Sequence, residues 1–376
     1  DLYAEMKRMS PDQDVTYLPG DRAGFHRALE RTARPGDWVA FVGAGDIDRD
    51  ARVWLEGHAM RRAKSAQWDV LAQAIVRSVN PDTMVSREEG LAARTTMRVG
   101  GAARIYCEPS CIADLQAVVH IARAQGTPSF VIGRGSNLLV PDEGVDGIVI
   151  SLGHESWRAF EALPNGRIRV GAGLRLKNLC GLATKAGLKG FEFLEGIPGN
   201  VGGALRMNAG AMGGWMFDVV EEVQMMLPDG SVVLVPRDRL HVEYRHCADL
   251  DHAIGLGAVL MPAAAAETES IKRQMDVYRD KRLKSQPREP SAGCIFKNPP
   301  GDSAGRLIDI AGLKGERVGD AEVSLVHANF IINRGRATSA DVISLVRRVR
   351  ARVRETSGVT LEPEVLLYGG AWRDVL

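Results

Sequence analysis

The sequence has no long apolar stretch, no excess of one charge and little cysteine. Its apolar runs fall well short of the ~18 residues that a transmembrane helix needs, so we expect no membrane span. The formal net charge is +1, which indicates neither a nucleic acid nor an acidic membrane as a partner. Residues 1–6 are charged and lack the apolar core of a signal peptide, so we expect no such peptide.

The cysteines do not indicate a metal site or a disulfide framework. There are 5 of them, scattered and without a Cys-x-x-Cys pair, and no second ligand pair lies near Cys107 and Cys111. We therefore predict no bound metal, and a reducing cytoplasm fits this cysteine usage. The composition, 45% hydrophobic and 25% charged, is typical of a globular protein of two or three domains.

Glycine, in contrast, is abundant, with 41 in 376 residues against a usual ~7%. The segment Gly133-Arg-Gly-Ser-Asn137 presents backbone N–H groups that can bind a diphosphate, with a plain tight turn as the alternative. It lacks the features of a P-loop or a Rossmann fingerprint. Residues 196–203 combine glycines with Pro198 into a rigid surface that a flat ring or a diphosphate can approach, with a simple loop as the alternative.

Apolar periodicity and turn residues predict a chain that mixes helices and strands. The Pro228-Asp-Gly230 turn between two apolar runs predicts a hairpin. Helices are predicted at 112–125, 174–186, 270–284, 304–311 and 339–356. Strands are predicted at 95–101, 129–132, 147–151, 167–171, 222–227, 232–235, 330–333 and 360–368.

Residues 1–75 have too few predicted elements for a core of their own. They comprise a helix at 25–32, a strand at 38–42, a glycine turn at 43–47 and a helix at 49–56, and a linker or linker helix follows from His58 to Ser78. The glycine turn lacks the third glycine of a dinucleotide fingerprint, so we assign it no cofactor. We interpret this part as the end of a domain.

A single thiol, Cys294, lies between Gly293 and an apolar pair inside residues 290–299. By composition alone, such a thiol is most simply a small buried hydrophobe. Two carboxylates near the C-terminus, Glu362 and Glu364, lie two residues apart and therefore on one face of the predicted final strand. The pattern alone does not choose between them.

Eight segments follow one another along the chain in a fixed order. These segments are Arg98-Val-Gly-Gly101, Gly133-Arg-Gly-Ser-Asn-Leu-Leu139, Gly196-Ile-Pro-Gly-Asn-Val-Gly-Gly-Ala204, Asn208-Ala-Gly-Ala211, Tyr244-Arg245, Ser291-Ala-Gly-Cys-Ile-Phe-Lys-Asn-Pro299, His327-Ala-Asn-Phe330 and Leu361-Glu-Pro-Glu-Val365. In these segments and their order the chain resembles the UDP-N-acetylenolpyruvoylglucosamine reductase family over residues 80–370, and it looks like the shorter second type, which lacks a tyrosine-bearing insertion.

Residues 35–47 carry a second resemblance, to the C-terminal end of UDP-N-acetylmuramate–L-alanine ligase. This resemblance implies that residues 1–75 are an inactive ligase remnant and linker. We expect the chain to be part of, or associated with, a fused polypeptide that contains the ligase.

The first resemblance implies an α+β fold with a two-lobed FAD-binding part of the vanillyl-alcohol-oxidase type and an α/β substrate-binding domain. We expect lobe 1 at residues 80–150, with residues 358–376 returning to it, lobe 2 at residues 151–265, and the substrate-binding domain at residues 266–357. The resemblance also implies a monomer without a nucleic-acid or membrane partner.

The activity that the resemblance implies is that of an FAD-dependent UDP-N-acetylmuramate dehydrogenase. NADPH would reduce non-covalently bound FAD, and hydride would then pass to the enolpyruvyl ether of UDP-N-acetylglucosamine. The product, UDP-N-acetylmuramate, is a peptidoglycan precursor, which links the enzyme to the cell wall, cell shape and cell division. Whether NADPH is preferred over NADH is left open.

By the same resemblance, Arg245 would stabilise the developing enolate, and Glu364 rather than Glu362 would assist. The proton would come from Cys294, where the family has a serine. A thiol, with an ordinary pKa of ~8.5, is a stronger acid than a hydroxyl, but a thiolate has no proton to give. The thiol also introduces a sensitivity to oxidation or alkylation.

The resemblance further implies two sets of binding residues. Those for the cofactor are Arg98, Gly133, Gly135, Ser136, Asn137, Gly196, Ile197, Pro198, Gly199, Gly202, Gly203, Asn208 and Gly210. Those for the substrate are Tyr244, Lys284, Lys297, Asn298 and Asn329. Arg282 is a further candidate for the diphosphate, although Arg282 and Lys284 can equally form surface ion pairs, and His327 can line the cleft or belong to the core.

Two other functions stay open at this point. Another flavoprotein of the same fold, such as a sugar or lactone oxidase, would not need Cys294, Arg245 and Glu364 together. A non-catalytic nucleotide-binding module would not need a working flavin site at all.

Overall fold

The computed structural model describes residue 8 and residues 47–376. The helix predicted at 25–32, the strand at 38–42 and the glycine turn at 43–47, apart from Ile47, lie outside the described residues. The chain divides into two compact units, residues 1–70 and residues 71–376. The helix predicted at 49–56 and the predicted linker helix form one continuous helix, α1 (Ile47–Ser78). In the part of the chain described, no helix has both the length and the apolar character to cross a membrane.

A mixed four-stranded sheet opens the second unit, with strand order β1–β2–β5–β3. β1 is antiparallel to β2, while β2 and β3 are both parallel to β5. Helix α2 connects β2 to β3 and ends before Gly126, whose φ is +59°. The elements are β1 (Met84–Gly90), β2 (Ala102–Glu108), α2 (Ile112–Ala124), β3 (Ser129–Ile132), β4 (Leu138–Leu139) and β5 (Val145–Ser151).

The strand predicted at 95–101 is wrong. This segment follows a short 3-10 turn, and its backbone bonds to loops rather than to a neighbouring strand. The N–H of Thr96 donates to the carbonyl of Gly135 at 3.3 Å, and that of Gly101 to the carbonyl of Pro141 at 2.8 Å. The local preference of β-branched residues for strands therefore yields to tertiary hydrogen bonds.

An antiparallel five-stranded sheet follows, in the order β12–β11–β15–β7–β6. The predicted hairpin is confirmed, with Val223 opposite Val235. The short strands pair as β8 with β16, β9 with β10 and β13 with β14. The elements are β6 (Phe160–Ala162), β7 (Ile168–Gly171), α3 (Leu176–Lys185), β8 (Leu188–Lys189), α4 (Val201–Arg206), β9 (Gly210–Ala211), β10 (Gly214–Trp215), β11 (Val220–Met226), β12 (Val232–Pro236), β13 (Val242–Glu243), β14 (His246–Cys247), β15 (Ile254–Leu260) and β16 (Ala264–Ala265).

A third sheet, antiparallel and four-stranded, has the order β17–β20–β19–β18. The last long helix, α7, packs on it with the apolar side that the sequence predicted, and Thr338 and Asp341 form its capping box. The elements are α5 (Thr268–Ser285), β17 (Ser291–Cys294), α6 (Ala304–Ile310), β18 (Arg317–Val318), β19 (Ala321–Val323), β20 (Phe330–Asn333), α7 (Ser339–Ser357) and β21 (Leu366–Leu367). The five predicted helices after residue 100 are confirmed, with small shifts of their ends.

After α7 the chain returns to the first sheet region, where β21 pairs in parallel with β4. The final strand predicted at 360–368 is too long, because only Leu366–Leu367 forms a ladder. The preceding residues bond to the Cys294 segment instead: the N–H of Glu364 donates to the carbonyl of Ile295 at 2.7 Å. The C-terminal segment thus joins the loop after β17 to the glycine loop after β3.

Candidate active site

A cavity of about 2330 Å³ opens where the three sheet regions meet. Its walls come from the loop after β3, the loop that leads into α4, the turn between β13 and β14, the segment between α5 and β17, and the C-terminal segment around β21. Four of these five walls are loops, and glycines occur in three of the five walls. The cavity therefore combines bare backbone with a small number of reactive side chains.

The two glycine loops lie against each other across this cavity. The Ser136 hydroxyl donates a hydrogen bond to the Pro198 carbonyl at 2.5 Å and thereby joins them. Gly135 has a φ of +59°, and a Cβ there would lie 2.7 Å from the carbonyl oxygen of Arg94, so this position requires glycine. A Cβ at Gly203, on α4, would have no atom within 4 Å of it, so this face of the helix is open to the cavity.

The residues of these loops fit a dinucleotide cofactor with a diphosphate and a flat ring. The Oδ1 atom of Asn200 is buried in the cavity wall and has no hydrogen-bond partner among the described residues. A buried polar atom without a partner is uncommon and indicates a missing ligand or water. The open faces at Gly133 and Gly203 leave room for such a group.

Arg245 and Glu364 form an ion pair in the same cavity. Arg245 occupies the turn between β13 and β14 with a φ of +58°, an uncommon conformation for a residue with a side chain. Its Nε atom lies 2.9 Å from the Oε1 atom of Glu364, but the N–H does not point at that oxygen, so the contact is an ion pair rather than a directed hydrogen bond. Its Nη1 donates to the Gly210 carbonyl at 3.1 Å.

Two aromatic rings hold the Arg245 guanidinium from the other side. Its Cζ atom lies 5.4 Å from the ring centroids of both Trp215 and Tyr244. The two rings meet edge to face at 5.6 Å. This cation–π arrangement fixes the orientation of Arg245. Tyr244 therefore orients a guanidinium that lines the cavity, although its own side chain does not line it.

Cys294 faces this ion pair from the end of β17. Burial is the main cause that raises the pKa of its thiol to about 12, and Glu364 acts in the same direction. Arg245 and Arg282 lower the pKa of the thiol, but by less. The thiol is therefore protonated at neutral pH and has a proton to give. Burial likewise raises the pKa of Glu364 above its ordinary value, against the opposing effect of Arg245.

The segment that carries Cys294 is held by Asn329. The Oδ1 of Asn329 accepts from the Phe296 N–H at 2.9 Å, and its Nδ2 donates to the Phe296 carbonyl at 2.8 Å. Its own carbonyl accepts from the Ile295 N–H at 2.9 Å. Both ends of the Asn329 amide bond to backbone and the residue is 3% exposed, so it positions the cysteine segment.

Arg282 places a second guanidinium in the cavity wall, beside the Gly196 loop. Its Nη1 donates to the Gly196 carbonyl at 3.4 Å, while its Nε is buried and has no partner among the residues described. Burial lowers the pKa of Arg282. Arg279, one turn earlier on α5, instead pairs with Glu195 at 3.0 Å. Nothing in the helix sequence distinguishes the two arginines, and only their packing does.

Most of the residues predicted for the site line the cavity. They are Arg98, Gly133, Gly135, Ser136, Asn137, Gly196, Ile197, Pro198, Gly199, Gly202, Gly203 and Gly210 of the cofactor set, together with Cys294, Arg245 and Glu364. Asn137 also bridges two elements, because its Nδ2 donates to the Glu364 carbonyl at 3.2 Å.

Six predicted residues do not line the cavity: Asn208, Tyr244, Lys284, Lys297, Asn298 and Asn329. Asn208 is buried, and its Nδ2 donates to the Glu243 carbonyl at 3.1 Å. The Oδ1 of Asn298 accepts from the Ala304 N–H at 3.1 Å, at the start of α6. His327 also lies outside the cavity lining, and its Nδ1 accepts from the Asn329 N–H at 3.2 Å.

The two C-terminal carboxylates have opposite surroundings. The side chain of Glu362 is 75% exposed, 4.0 Å from the Nζ of Lys297, whereas that of Glu364 is 12% exposed. The expectation that they share a strand face is wrong, because the chain here is not a regular strand. Among the described residues no group of His, Cys, Asp or Glu is arranged to hold a metal ion.

The glycine loops and the adjacent cation, carboxylate and thiol define a two-lobed FAD-binding oxidoreductase. The family model for an FAD binding domain matches residues 103–235, and the model for the UDP-N-acetylenolpyruvoylglucosamine reductase C-terminal domain matches residues 286–368. The chain belongs to the UDP-N-acetylenolpyruvoylglucosamine reductase family. The predicted α+β fold with an FAD-binding part is thereby confirmed.

The matched residues span most of the length of each of the following relatives. The UDP-N-acetylenolpyruvoylglucosamine reductase of Heliobacterium modesticaldum is 42% identical over 287 residues, which are 75% of this chain and 90% of the relative. That of Pelobacter propionicus is 42% identical over 299 residues, 77% and 98% of the two chains. The crystal structure of the Thermus caldophilus reductase superposes with a TM-score of 0.64 at 40% identity and covers 76% of this chain and 98% of that one.

Proposed function

We propose that this chain reduces UDP-N-acetylenolpyruvoylglucosamine to UDP-N-acetylmuramate with NADPH, through non-covalently bound FAD. The observation that carries the proposal is the convergence of Arg245, Glu364 and Cys294 on the cavity that the two glycine loops border. Family membership supports the same activity. A sugar or lactone oxidase of the same fold would have no use for a neutral thiol paired with this buried ion pair.

The glycine loops are the proposed cofactor site. Backbone N–H groups of residues 133–137 and of Gly199, Asn200 and Gly203, with the Asn200 side chain beside them, would hold the diphosphate and ring system. FAD bound there supplies hydride transfer from NADPH to the substrate. The side chains of the protein would hold the substrate's vinyl group near the cofactor, stabilise the negative charge that develops on the substrate, and donate a proton to it.

Arg245 is the proposed stabiliser of the negative charge that develops on the substrate when hydride reaches the vinyl CH2 carbon. Its guanidinium is held in advance by two rings, a carbonyl and Glu364, so little reorganisation is needed. Cys294 then gives its thiol proton to the adjacent carbon, and the new C–H bond completes the reduction. The remaining thiolate must be reprotonated before the next turnover. We assign Glu364 to assist, since it lines the same cavity and burial raises its pKa.

For the substrate nucleotide we propose a revised set of contacts. Tyr244 lies beside the ion pair, since its ring contacts Arg245, and Lys297 lies on the segment that follows Cys294, with its ammonium 4.0 Å from Glu362. Arg282 joins them as the cation whose Nε is free to meet the diphosphate. Asn329 and Asn298 act through the backbone that they hold, and Lys284 remains a peripheral candidate on α5.

The domain assignment that accompanies this function has two lobes and a third domain. Lobe 1 comprises residues 80–150 with 358–376, lobe 2 residues 151–265, and the substrate-binding domain residues 266–357. Support comes from the three separate sheets and from the pairing of β21 with β4. We further propose that the enzyme is of the second, shorter type and a monomer, and that residues 1–75 are a ligase remnant from a fused polypeptide.

The direct test is an assay of the purified protein with NADPH and UDP-N-acetylenolpyruvoylglucosamine. We expect a yellow protein whose NADPH oxidation depends on that substrate and yields UDP-N-acetylmuramate. Oxidation of sugars with oxygen, without the enolpyruvyl substrate, would favour the oxidase. A colourless protein that cannot be loaded with FAD would favour the non-catalytic module. Ligase activity with ATP and L-alanine would contradict the inactive remnant.

A further inference from the structure

The C-terminal segment carries a second polar group to the cavity wall, the hydroxyl of Tyr368. Four residues after Glu364, the Tyr368 N–H donates to the Leu139 carbonyl at 2.9 Å, and this bond continues the register of β21 on β4. The ring lies 5.6 Å from that of Phe130 and is 7% exposed. Tyr368 is among the residues that line the cavity, so its position is set by backbone pairing and ring packing together.

The Tyr368 hydroxyl has no hydrogen-bond partner within the described part of the chain. A buried hydroxyl without a partner destabilises the protein, because it has lost its bonds to water. Burial also raises the pKa of this phenol, so the group stays a neutral donor. Because Tyr368 packs in a cluster of apolar side chains, a phenylalanine would fill the same space without this penalty.

Tyr106 offers a direct contrast in the same lobe. It also lines the cavity and is 1% exposed, but its hydroxyl donates to the Oε1 of Glu108 at 2.6 Å. The guanidinium of Arg94 lies over its ring at 4.5 Å. Among the described residues, one of these buried tyrosines therefore has a hydrogen-bond partner and the other has none, although both belong to one apolar cluster.

The missing partner is to be sought on the cavity side. Tyr368 lies on the segment that borders the first glycine loop, since the Leu366 N–H donates to the Asn137 carbonyl at 3.0 Å. Tyr368 and residues 133–137 of that loop line the same cavity. We propose that the Tyr368 hydroxyl donates a hydrogen bond to an acceptor atom of bound FAD. This inference rests on the FAD site proposed above and adds to it a contact that no sequence pattern indicated.

The test compares Tyr368→Phe with the wild type, with and without FAD. Titration of FAD-free protein with FAD, followed by flavin fluorescence, should show a dissociation constant raised about five- to tenfold, as the loss of one hydrogen bond predicts. The melting temperature of the FAD-free variant should not fall, because the deleted hydroxyl had no partner. The increase in melting temperature on adding FAD should shrink.

Tyr106→Phe is the matched control for stability. It removes a hydroxyl that has a partner, so the FAD-free protein should melt at a lower temperature. The inference is overturned if Tyr368→Phe leaves the FAD dissociation constant unchanged. A lower melting temperature of FAD-free Tyr368→Phe would also overturn it, by revealing a partner within the protein or an ordered water.

Other outcomes separate this inference from the proposed function. A raised KM for the enolpyruvyl substrate with unchanged FAD affinity would place the hydroxyl against the substrate and overturn the cofactor contact alone. Wild-type protein that binds FAD but does not turn over that substrate would overturn the proposed activity, while weaker FAD binding by Tyr368→Phe would still support the contact.

Discussion

The cavity has two ends that are built in different ways. At the glycine-loop end the chain contributes backbone and leaves out side chains, as at Gly133 and Gly203. At the other end it contributes the side chains of Arg245, Cys294 and Glu364. Substitutions that add atoms should impair the glycine-loop end, whereas substitutions that remove side-chain atoms should impair the other end. Binding of the cofactor and chemistry on the substrate should therefore be separable by mutation.

The largest expected effect is that of Cys294→Ala, which removes the proposed proton donor. Turnover should fall about 10²–10⁴-fold, the usual contribution of a positioned acid, while FAD binding stays close to that of the wild type. Cys294→Ser should retain more activity than Cys294→Ala, because it keeps an exchangeable proton. Steady-state kinetics with the enolpyruvyl substrate measure this, and turnover by Cys294→Ala within about threefold of the wild type, far less than a positioned acid contributes, would rule out the thiol as the donor.

The second largest effect is expected when the Arg245 guanidinium is removed. Arg245→Met should lower kcat about 10²–10³-fold, since one preorganised charge-stabilising group is lost, again with little change in FAD affinity. Arg279→Met is the control, because Arg279 also pairs with a buried carboxylate but lies outside the cavity lining. Comparable losses of kcat in the two variants would show that the effect is structural.

The glycine-loop end is tested by adding atoms. Gly203→Leu should raise the FAD dissociation constant about 10- to 100-fold, as expected when overpacking costs ~1–3 kcal/mol. Gly181→Leu is the matched control, because Gly181 is also helical and has no atom near its absent Cβ, but lies outside the cavity. Both changes improve helix propensity, so FAD-free stability should not fall in either variant. Equal FAD affinities would contradict the cavity assignment of Gly203.

The smallest expected effect concerns pH and stability. The pKa of Cys294 is raised to about 12 in the folded protein, against ~8.5 for an unfolded thiol. The neutral thiol therefore contributes stability that is complete below pH ~8.5 and is lost as pH rises toward the folded pKa. Cys294→Ser should make the decline of the unfolding free energy above pH ~8.5 shallower, by on the order of 1 kcal/mol per pH unit.

Chemical denaturation of wild type and Cys294→Ser at a series of pH values, from about 7 to about 10 so as to bracket the unfolded pKa, measures these slopes. Parallel curves would contradict the raised pKa. The same raised pKa predicts slow alkylation of Cys294 at neutral pH, because only the thiolate reacts. The sequence suggested that Cys294 is sensitive to oxidation or alkylation. The raised pKa of its thiol opposes this reactivity.

The two ends also differ in how far sequence could predict them. The glycine loops are contiguous in the chain, and every glycine predicted there lines the cavity. The reactive end draws on residues far apart in sequence, and there the resemblance to a family carried the prediction. The resemblance predicted the substrate-binding residues less well, because the amides of Asn298 and Asn329 bond to nearby backbone.

Local pattern predicted the helices well and two strands poorly. α7 has a regular apolar side and a capping box, and both are properties of consecutive residues. Residues 95–101 and 360–365 have a strand-like composition, but their N–H groups bond to Gly135, Pro141 and Ile295 in distant loops. Strand formation depends on a partner, and the partner is not local.

The sequence by itself determined the class of this protein, because motif order, glycine spacing and helical periodicity are properties of consecutive residues. Only the tertiary structure decided that Glu364 is buried and Glu362 exposed, that Arg282 enters the cavity while Arg279 does not, and that the Tyr368 hydroxyl lacks a partner among the described residues. Burial and pKa are set by atoms that folding brings together from distant parts of the chain, so no pattern of neighbouring residues could supply them.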